Sequence, residues 1–248
     1  MVRFSLRILP LLLALPFGLS LGCDLDHSVR HELLEFDEVD LQRLVVENGS
    51  GDITLIGDPD ATSVSVVAEI HGHSTQARHD FVDGAIQLGT DCPASASNCS
   101  IDWTITVPSE LPSAELSTGS GDIEVSEVAT KLVLDTGSGD ITLRELDSPT
   151  LDVETGSGDV EGHSLRCDDF AGTAGSGDLE LHWASRPRRV AWESGSGDVD
   201  VSLPKGSYDL ALDTGSGDVE LSGIDDDPDA DALLSLSTGS GDITITGR

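Results

Sequence analysis

The tetrapeptide Gly-Ser-Gly-Asp recurs eight times along this chain of 248 residues, and this repeat limits the possible folds more than any other feature. Successive copies begin 70, 18, 19, 19, 20, 20 and 24 residues apart. The first glycines of the copies are Gly49, Gly119, Gly137, Gly156, Gly175, Gly195, Gly215 and Gly239. A period near 20 residues indicates structural units that stack on one another.

Apolar residues flank each copy at alternating positions. The residues five and three before the first glycine, and those four and six after it, are nearly all apolar, whereas the residues between them are mostly polar. In the third copy they are Leu132, Leu134, Ile141 and Leu143. Period two predicts half-buried β-strands. The glycines permit a tight corner, and the aspartate can accept hydrogen bonds from turn amides.

Each repeat therefore predicts a strand, a glycine corner, a second strand and a return loop. Isolated hairpins of this length are marginal, whereas stacked units share one continuous core. We predict an all-β fold, a β-solenoid of roughly 20-residue coils with two strands per coil, because the register is constant from repeat to repeat. An antiparallel β-sandwich or barrel is the alternative.

The spacing also predicts how the chain is divided. The repeat domain spans residues 41–248, and its long first interval holds an inserted segment at about 63–107, with strands at 63–70 and 101–107 and a polar loop between them. The charged residues 23–40 predict a tether. The last coil ends at Ile243 and Ile245, so we expect it to form an open solenoid end with weak end-to-end self-association, or with cover from a partner.

Residues 1–22 have the pattern of a signal peptide. Arg3 and Arg7 precede an apolar run that is too short and too interrupted by proline for a membrane span. The following Leu-Ser-Leu-Gly-Cys, ending at Cys23, resembles the lipobox of bacterial lipoproteins, in which the cysteine is acylated. An ordinary signal peptide beside a structural cysteine is the alternative. We expect export to the bacterial cell envelope and a lipid anchor that holds the protein to a membrane.

The other three cysteines also suit an exported protein. Cys92 and Cys99 have six residues between them and predict a small disulfide loop. Cys167 is then unpaired, and we predict a buried thiol.

The charge balance excludes several classes of partner. Lys and Arg number 13 and Asp and Glu 46, which gives a formal net charge of −33. Nucleic-acid binding requires a basic face, and so does docking on anionic lipid through protein charge. Three Trp, one Tyr and five Phe are too few for a typical haem or flavin pocket, so no organic cofactor is expected.

In a solenoid the corner aspartates would form a row with a spacing of about 4.8 Å. Neighbouring carboxylates at that distance repel by about 1 kcal/mol in water, and this repulsion requires compensation. Hydrogen bonds from each turn's own amides are one answer, and bound Ca²⁺ is another, since a hard cation prefers oxygen ligands. The candidate calcium ligands are Asp122, Asp140, Asp159, Asp178, Asp198 and Asp218, with Asp52 and Asp242 as extensions of the row.

Two other groups of residues could form sites. His71 and His73 would share a strand face, with His79 further on, and could bind a transition metal or lie in a solvated loop. Trp183 and Trp192 could form a sugar-stacking platform. Both residues occupy inward positions of the apolar alternation, however, which favours packing in the core.

The basic residues and the corner serines give weaker signals. The cluster Arg186, Arg188 and Arg189 could mark an anionic partner, although pairing with surface acids is the default. No histidine recurs with the corner serines, and an active site is normally built once, so the sequence predicts no enzyme.

At this point the chain resembles a known family. Val107-Pro108, followed by repeated Leu-Asp-Thr-Gly-Ser-Gly-Asp with Val or Ile next, is similar to the adhesin-type β-strand repeats of the bacterial family of unknown function DUF4097. The head domains of autotransporter adhesins are similar too. The resemblance covers roughly residues 40–248. It implies a β-solenoid-like fold in the cell envelope and brings no catalytic residues with it.

Together these features predict a non-enzymatic, lipid-anchored envelope protein that adheres to, or binds, a surface protein or glycan. A polysaccharide-active β-helix enzyme is one alternative, disfavoured because basic residues are scarce. A structural or envelope-stress module without a dedicated ligand is another.

Overall fold

The computed structural model describes residues 29–37, 41–93 and 98–248, and within these ranges it contains strands and no helix that could cross a membrane. The strands are β1 Val29–Phe36, β2 Arg43–Asn48, β3 Ile53–Asp58, β4 Val64–His71, β5 Gln76–Val82, β6 Ala85–Asp91, β7 Ser100–Pro108, β8 Glu110–Thr118, β9 Ile123–Ser126, β10 Ala129–Thr136, β11 Ile141–Arg144, β12 Asp147–Ser157, β13 Val160–Ser176, β14 Leu179–Trp183, β15 Arg189–Ser194, β16 Val199–Leu203, β17 Gly206–Thr214, β18 Val219–Ser222, β19 Ile224–Asp226, β20 Leu233–Thr238 and β21 Ile243–Gly247.

Two stacks of strands, sheet A and sheet B, enclose one core. Each Gly-Ser-Gly-Asp corner joins a strand of sheet B to a strand of sheet A. The order of sheet A is β1-β4-β7-β3-β9-β11-β13-β14-β16-β21-β18. The order of sheet B is β5-β6-β2-β8-β10-β12-β13-β15-β20-β17.

Pairing between repeats is parallel and keeps one register. Leu132 pairs with Leu151 of the next coil in sheet B, and Ile141 pairs with Val160 in sheet A. The inward apolar positions therefore stack as rows, and nearly all of them are fully buried. The predicted solenoid with two strands per coil is confirmed, because a sandwich or barrel would need antiparallel neighbours throughout.

In the inward rows, glycines replace apolar side chains at two positions, Gly162 and Gly172, and leave room for large neighbouring side chains. A Cβ on Gly172 would lie 2.7 Å from the indole of Trp192, and one on Gly162 would lie 2.6 Å from Leu181. Trp192 stacks on Phe170, and Trp183 meets the same ring edge-on. Trp183 and Trp192 are both buried, so the prediction of core packing rather than a sugar platform is confirmed.

The corners stack at backbone contact, which explains why glycine recurs there. Gly121 has φ +149°, and a Cβ on it would lie 2.2 Å from the carbonyl oxygen of Gly51 in the neighbouring coil. The equivalent distance from Gly158 to the oxygen of Gly139 is 1.9 Å. No side chain fits between carbonyls at this separation.

The order of coils departs from chain order at the C-terminal end. Strands β20 and β21 of the last repeat lie between β15/β16 of the sixth repeat and β17/β18 of the seventh. The expectation that the last coil forms the open end is therefore wrong. The physical reason lies in the 24-residue interval before it, whose acidic loop is long enough to carry the chain past the seventh coil.

The opposite end begins with a strand that was predicted as part of the tether. Within residues 23–40, strand β1 pairs antiparallel with β4 and buries Leu34 and Phe36. The tether prediction is wrong for 29–36, because alternate apolar residues in this charged segment face the core. The predicted signal peptide, Cys23 and residues 24–28 lie outside the described residues.

The inserted segment also contains more strand than predicted. Strands β4 and β7 agree with the predicted strands, but the segment between them holds a hairpin, β5–β6, instead of only a loop. Its turn is Asp83-Gly84, and both residues have positive φ, 52° and 77°. An Asp-Gly pair of this kind is typical of a two-residue hairpin turn.

Candidate functional site

The corner aspartates form a hydrogen-bonded ladder along the whole stack. The backbone N–H of Asp159 donates to Oδ1 of Asp140 at 2.8 Å, and the N–H of Asp178 donates to Oδ1 of Asp159 at 2.8 Å. In spatial order the ladder is Asp102, Asp52, Asp122, Asp140, Asp159, Asp178, Asp198, Asp242 and Asp218. The sequence predicted the row, but placed each hydrogen bond within its own turn instead of between coils.

These bonds differ from the predicted ones, because the amides that offset the carboxylate repulsion belong to the neighbouring coil and not to each turn itself. Each carboxylate from Asp102 to Asp242 accepts a hydrogen bond from a backbone N–H of the neighbouring coil. Asp218 is the last member, and its N–H donates to Asp242 at 2.8 Å. Calcium binding at the row stays a prediction.

A second ladder, which sequence reasoning missed, runs inside the corners. The buried Thr136 hydroxyl donates to the carbonyl of Gly121 at 3.0 Å, and Thr238 donates to Gly197 at 3.0 Å. Thr214 donates to Gly241 at 2.8 Å, which repeats the intercalated order of the last coil. The recurring Thr directly before Gly-Ser-Gly-Asp was the available signal.

The seventh coil, β17 and β18, forms one end of the stack, which we call the bare end. Strand β18 pairs only with β21 among the described residues. Its inward residues Val219 and Leu221 are 42% and 44% exposed, whereas the partner Ile245 in the same row is fully buried. Strand β19 covers only the first part of β17, by pairing with residues 206–208.

Backbone groups at the bare end face outward in a defined pattern. In β17 the N–H of Asp209 donates to the carbonyl of Ala232, just before β20, and the N–H of Gly215 donates to the carbonyl of Thr238 in β20. The N–H of Leu210 points away from β20 and reaches Asp226. Because peptide direction alternates along a strand, Leu212 and Thr214 also direct their N–H and C=O groups outward. In β18 the carbonyl of Asp218 accepts from Ile243, so Val219 and Leu221 direct theirs outward.

The bare end is predominantly acidic, and Arg186 reaches it at the start of β17, at Ser207 and Tyr208. Residues 206–231 contain nine acids and no Lys or Arg. Asp213, Asp218, Glu220, Asp225 and Asp226 are exposed around the open edge. An uncovered apolar row therefore lies within an acidic rim.

The other end, formed by β1 and β5, is the reversed end, because both of these strands run antiparallel to their neighbours. It carries the one set of three groups within the described ranges whose ligand atoms all approach within 4.8 Å: Glu69, His71 and Asp102. His71 Nε2 lies 3.0 Å from Asp102 Oδ2 and 3.6 Å from Glu69 Oε1.

This cluster could hold a divalent metal, and without one the His71 ring contacts both carboxylates directly. The histidine pattern in the sequence thus pointed to His71. The side chains beside it are carboxylates, Glu69 of the same strand β4 and Asp102 of the neighbouring strand β7. His73 and His79 are not members of the cluster.

The predicted cysteine chemistry can now be placed. Cys92 and Cys99 are joined in a disulfide at the reversed end. Cys167 is a free buried thiol, as predicted. Its burial, together with the nearby Asp168 and Asp169, raises the pKa of the thiol to about 12, so it is not a nucleophile at neutral pH.

The remaining polar groups form surface pairs. Arg188 is paired with Asp169, and Arg186 lies 4.1 Å above the ring of Tyr208. His163 and His182 stack with ring centroids 5.1 Å apart. A hydrogen bond with His182 lowers the pKa of Glu180. Such exposed pairs contribute little to stability.

Sheet B carries a shallow groove on its outer face, with a volume of about 270 Å³. Asp135, Asp152 and Glu154 line it, together with Val133 and Thr173. The residues that line the groove include three carboxylates and no Lys, Arg or His.

These observations define a parallel β-solenoid with glycine corners, an aspartate ladder and two unlike ends. The chain belongs to the Toastrack DUF4097 family, whose model matches residues 39–246. No curated protein matches the chain.

Two solved structures share the fold. One is described as a "Putative lipid binding protein" from Parabacteroides distasonis, with 17% identity, a TM-score of 0.53, and coverage of 90% of this chain and 97% of that chain. The other is a "putative adhesin" from Bacteroides fragilis, with 18% identity, a TM-score of 0.52, and coverage of 88% and 97%. At these identities the likeness concerns the fold alone.

Proposed function

We propose that this protein is a non-enzymatic envelope lipoprotein that adheres or binds through the bare end of its solenoid. The observation that carries the proposal is the contrast within one row: Leu221 is 44% exposed where Ile245, one coil away, is fully buried. An apolar row with outward backbone groups is the kind of edge to which an extended segment adds as a further strand.

The proposed lipid anchor determines which end of the solenoid lies near the membrane. Cys23 precedes β1 by six residues, and five intervening residues reach at most about 18 Å. The reversed end therefore stays near the membrane. The bare end lies ten strand steps away in sheet A, about 48 Å at the usual spacing.

Several features support a role without catalysis. The corner serines Ser157 and Ser176 hydrogen-bond to each other instead of to an imidazole. The thiol of Cys167 is buried and protonated at neutral pH. The groove on sheet B lacks a cation that a polysaccharide lyase would need beside its acids.

The anchor is tested by Cys23→Ser. We expect this variant to lose labelling by a metabolically supplied fatty acid and to leave the membrane fraction. Unchanged labelling and fractionation would contradict the anchor and leave the bare end untouched as a binding surface.

The binding surface is tested with the chain from Asp24 onward, which keeps every described residue. We expect the soluble chain to bind whole cells or an arrayed surface glycan, and the double variant Val219→Asp with Leu221→Asp to lose that binding. Val133→Asp is the matched control, since Val133 is 44% exposed but lies on the outer face in mid-stack. Equal binding by all three would overturn the proposal.

A further inference from the structure

We propose that the bare end binds a cationic extended segment of another protein, which adds as an antiparallel or parallel strand to β18. This deepens the proposed function, since it rests on the bare end being the binding surface and names the chemistry of the partner. Three properties of the edge carry it: free backbone groups, an uncovered apolar row and a predominantly acidic rim.

The backbone groups set the shape of the partner. Val219 and Leu221 present N–H and C=O groups away from β21, and no other described strand pairs with them. Only an extended segment meets such groups at strand spacing. Strand β19 covers β17 at residues 206–208 and Asp226 occupies the N–H of Leu210, so the free edge runs from Leu212 of β17 through the corner into β18.

Side chains set the composition of the partner. An added strand places one face of its residues over Val219 and Leu221, and these residues must be apolar to complete the row. Its other face lies opposite Glu220, which is exposed on the outside of sheet A. Residues directly opposite across a strand pair come within about 5.5 Å, so a basic residue there is favoured. The segment therefore alternates apolar with Lys or Arg.

The rim rejects the most obvious other occupant, a second copy of this chain. Two bare ends brought together would place nine acids of residues 206–231 against nine identical acids, with no basic residue in either segment. Like charges at an interface raise the cost of association. The end-to-end self-association expected from the sequence is thus opposed by the charge of the end that the structure exposes.

The probe is a labelled synthetic peptide of alternating lysine and valine, seven residues long, titrated with the chain from Asp24 onward and read by fluorescence anisotropy. We expect saturable binding that weakens as salt rises, because charges are paired. A peptide of equal charge with proline at the central position lacks the N–H for the ladder, and we expect it to bind about tenfold more weakly. A glutamate–valine peptide should not bind.

Matched variants separate the edge from the general attraction of an acidic protein for polycations. Glu220→Lys reverses one charge at the edge and should weaken binding about fivefold or more, as loss of a cross-strand charge pair implies. Glu161→Lys makes the same charge reversal at the equivalent outward position of sheet A, but in the middle of the stack. It should change the binding affinity by no more than about twofold. Leu221→Pro removes one outward N–H without touching the bonds to β21, and should weaken binding about tenfold.

Four results would overturn the proposal. Equal affinity of all variants would reduce the binding to non-specific charge attraction. Equal affinity of the proline peptide would exclude strand addition. Sedimentation showing a dimer that strengthens with salt, and that Leu221→Pro abolishes, would make a second copy the occupant. If cells or glycans still bind at the bare end while the peptide does not, the partner chemistry is wrong and the proposed function survives.

Discussion

The two ends of the solenoid are built from similar strands but finish in opposite ways. At the reversed end the outermost strand of sheet A, β1, turns antiparallel and buries Leu34 and Phe36 to 5% and 2% exposure. At the bare end the outermost strand, β18, keeps the parallel register of the repeats and leaves Val219 and Leu221 nearly half exposed. A repeat therefore buries its own apolar row only when something outside the repeat covers it.

The edges of the two ends also differ in charge. Strand β1 carries Arg30 and His31 beside Glu32 and Glu35, so both signs are present. Residues 206–231 at the bare end carry acids alone. Mixed or single-sign charge on an edge strand discourages pairing between copies. Acidic charge at the bare end still attracts a partner of the opposite charge. The bare end can therefore select its partner by charge.

The largest expected effect compares two residues of one inward row. Ile245→Ala should lower the free energy of unfolding by about 2–5 kcal/mol, because Ile245 is fully buried between neighbouring coils. Leu221→Ala, one coil further out, should cost less than about 1 kcal/mol, because its side chain is already nearly half exposed. Urea unfolding measures both. Equal losses would mean that the seventh coil is not the end.

The corners offer a second pair at the same position of the repeat. A Cβ on Gly119 would lie 2.6 Å from the carbonyl of Gly49, whereas a Cβ on Gly49 has nothing within 4 Å. Gly119→Ala should therefore cost about 1–3 kcal/mol by overpacking, and Gly49→Ala no more than about 0.5 kcal/mol. Thermal melting and urea unfolding of the two variants test whether corner stacking, and not glycine flexibility in general, sets the requirement.

A third pair tests the aspartate ladder. Asp140→Ala removes the acceptor of the Asp159 N–H and should cost about 1 kcal/mol, the net value of an ordinary hydrogen bond. Asp218→Ala, at the end of the ladder, removes a carboxylate to which no further coil donates, and should change stability by less than about 0.5 kcal/mol. A larger loss at Asp218 than at Asp140 would show that the ladder continues beyond the seventh coil.

The smallest effect concerns divalent cations. If the N–H bonds between coils offset the repulsion, Ca²⁺, Mg²⁺ and a monovalent salt of equal ionic strength should raise the melting temperature equally over its value in EDTA. A rise specific to Ca²⁺ that grows with its concentration would instead support the calcium hypothesis for the row.

Much of the fold was predictable because the repeat determines it locally. The alternation of apolar and polar residues predicted that Leu132 and Ile141 face the core, and the same alternation predicted this for Trp183 and Trp192. All four residues are buried. The hairpin β5–β6 could have been found from Asp83-Gly84, which favours a two-residue turn. The strand β1 was hidden because, within its residues 29–36, burial is confined to Leu34 and Phe36 and the other positions are mostly charged or exposed.

The order of the coils could not be predicted from pattern alone. The sixth, seventh and eighth repeats have apolar inward positions in the same register, so the pattern alone allows Val199 to pair with Val219 or with Ile243, and the structure has Ile243. Identical ladders do not specify which coil is the neighbour. The only signal was the longer, acidic interval before Gly239, and its consequence depends on where the loop runs in space. The candidate site moved with this order, from Ile243 and Ile245 to Val219 and Leu221.

Amide hydrogen exchange tests the central claim, the intercalation of the last coil, most directly. The backbone groups of Ile243 and Ile245 lie between two strands, β16 and β18, whereas the outward N–H groups of Val219 and Leu221 have no neighbouring strand in the described part of the chain. We therefore predict slow exchange at the last repeat and fast exchange at Val219 and Leu221 in the native chain. The reverse, with β21 exchanging freely and β18 protected, would show that the coils stack in chain order and would contradict the account.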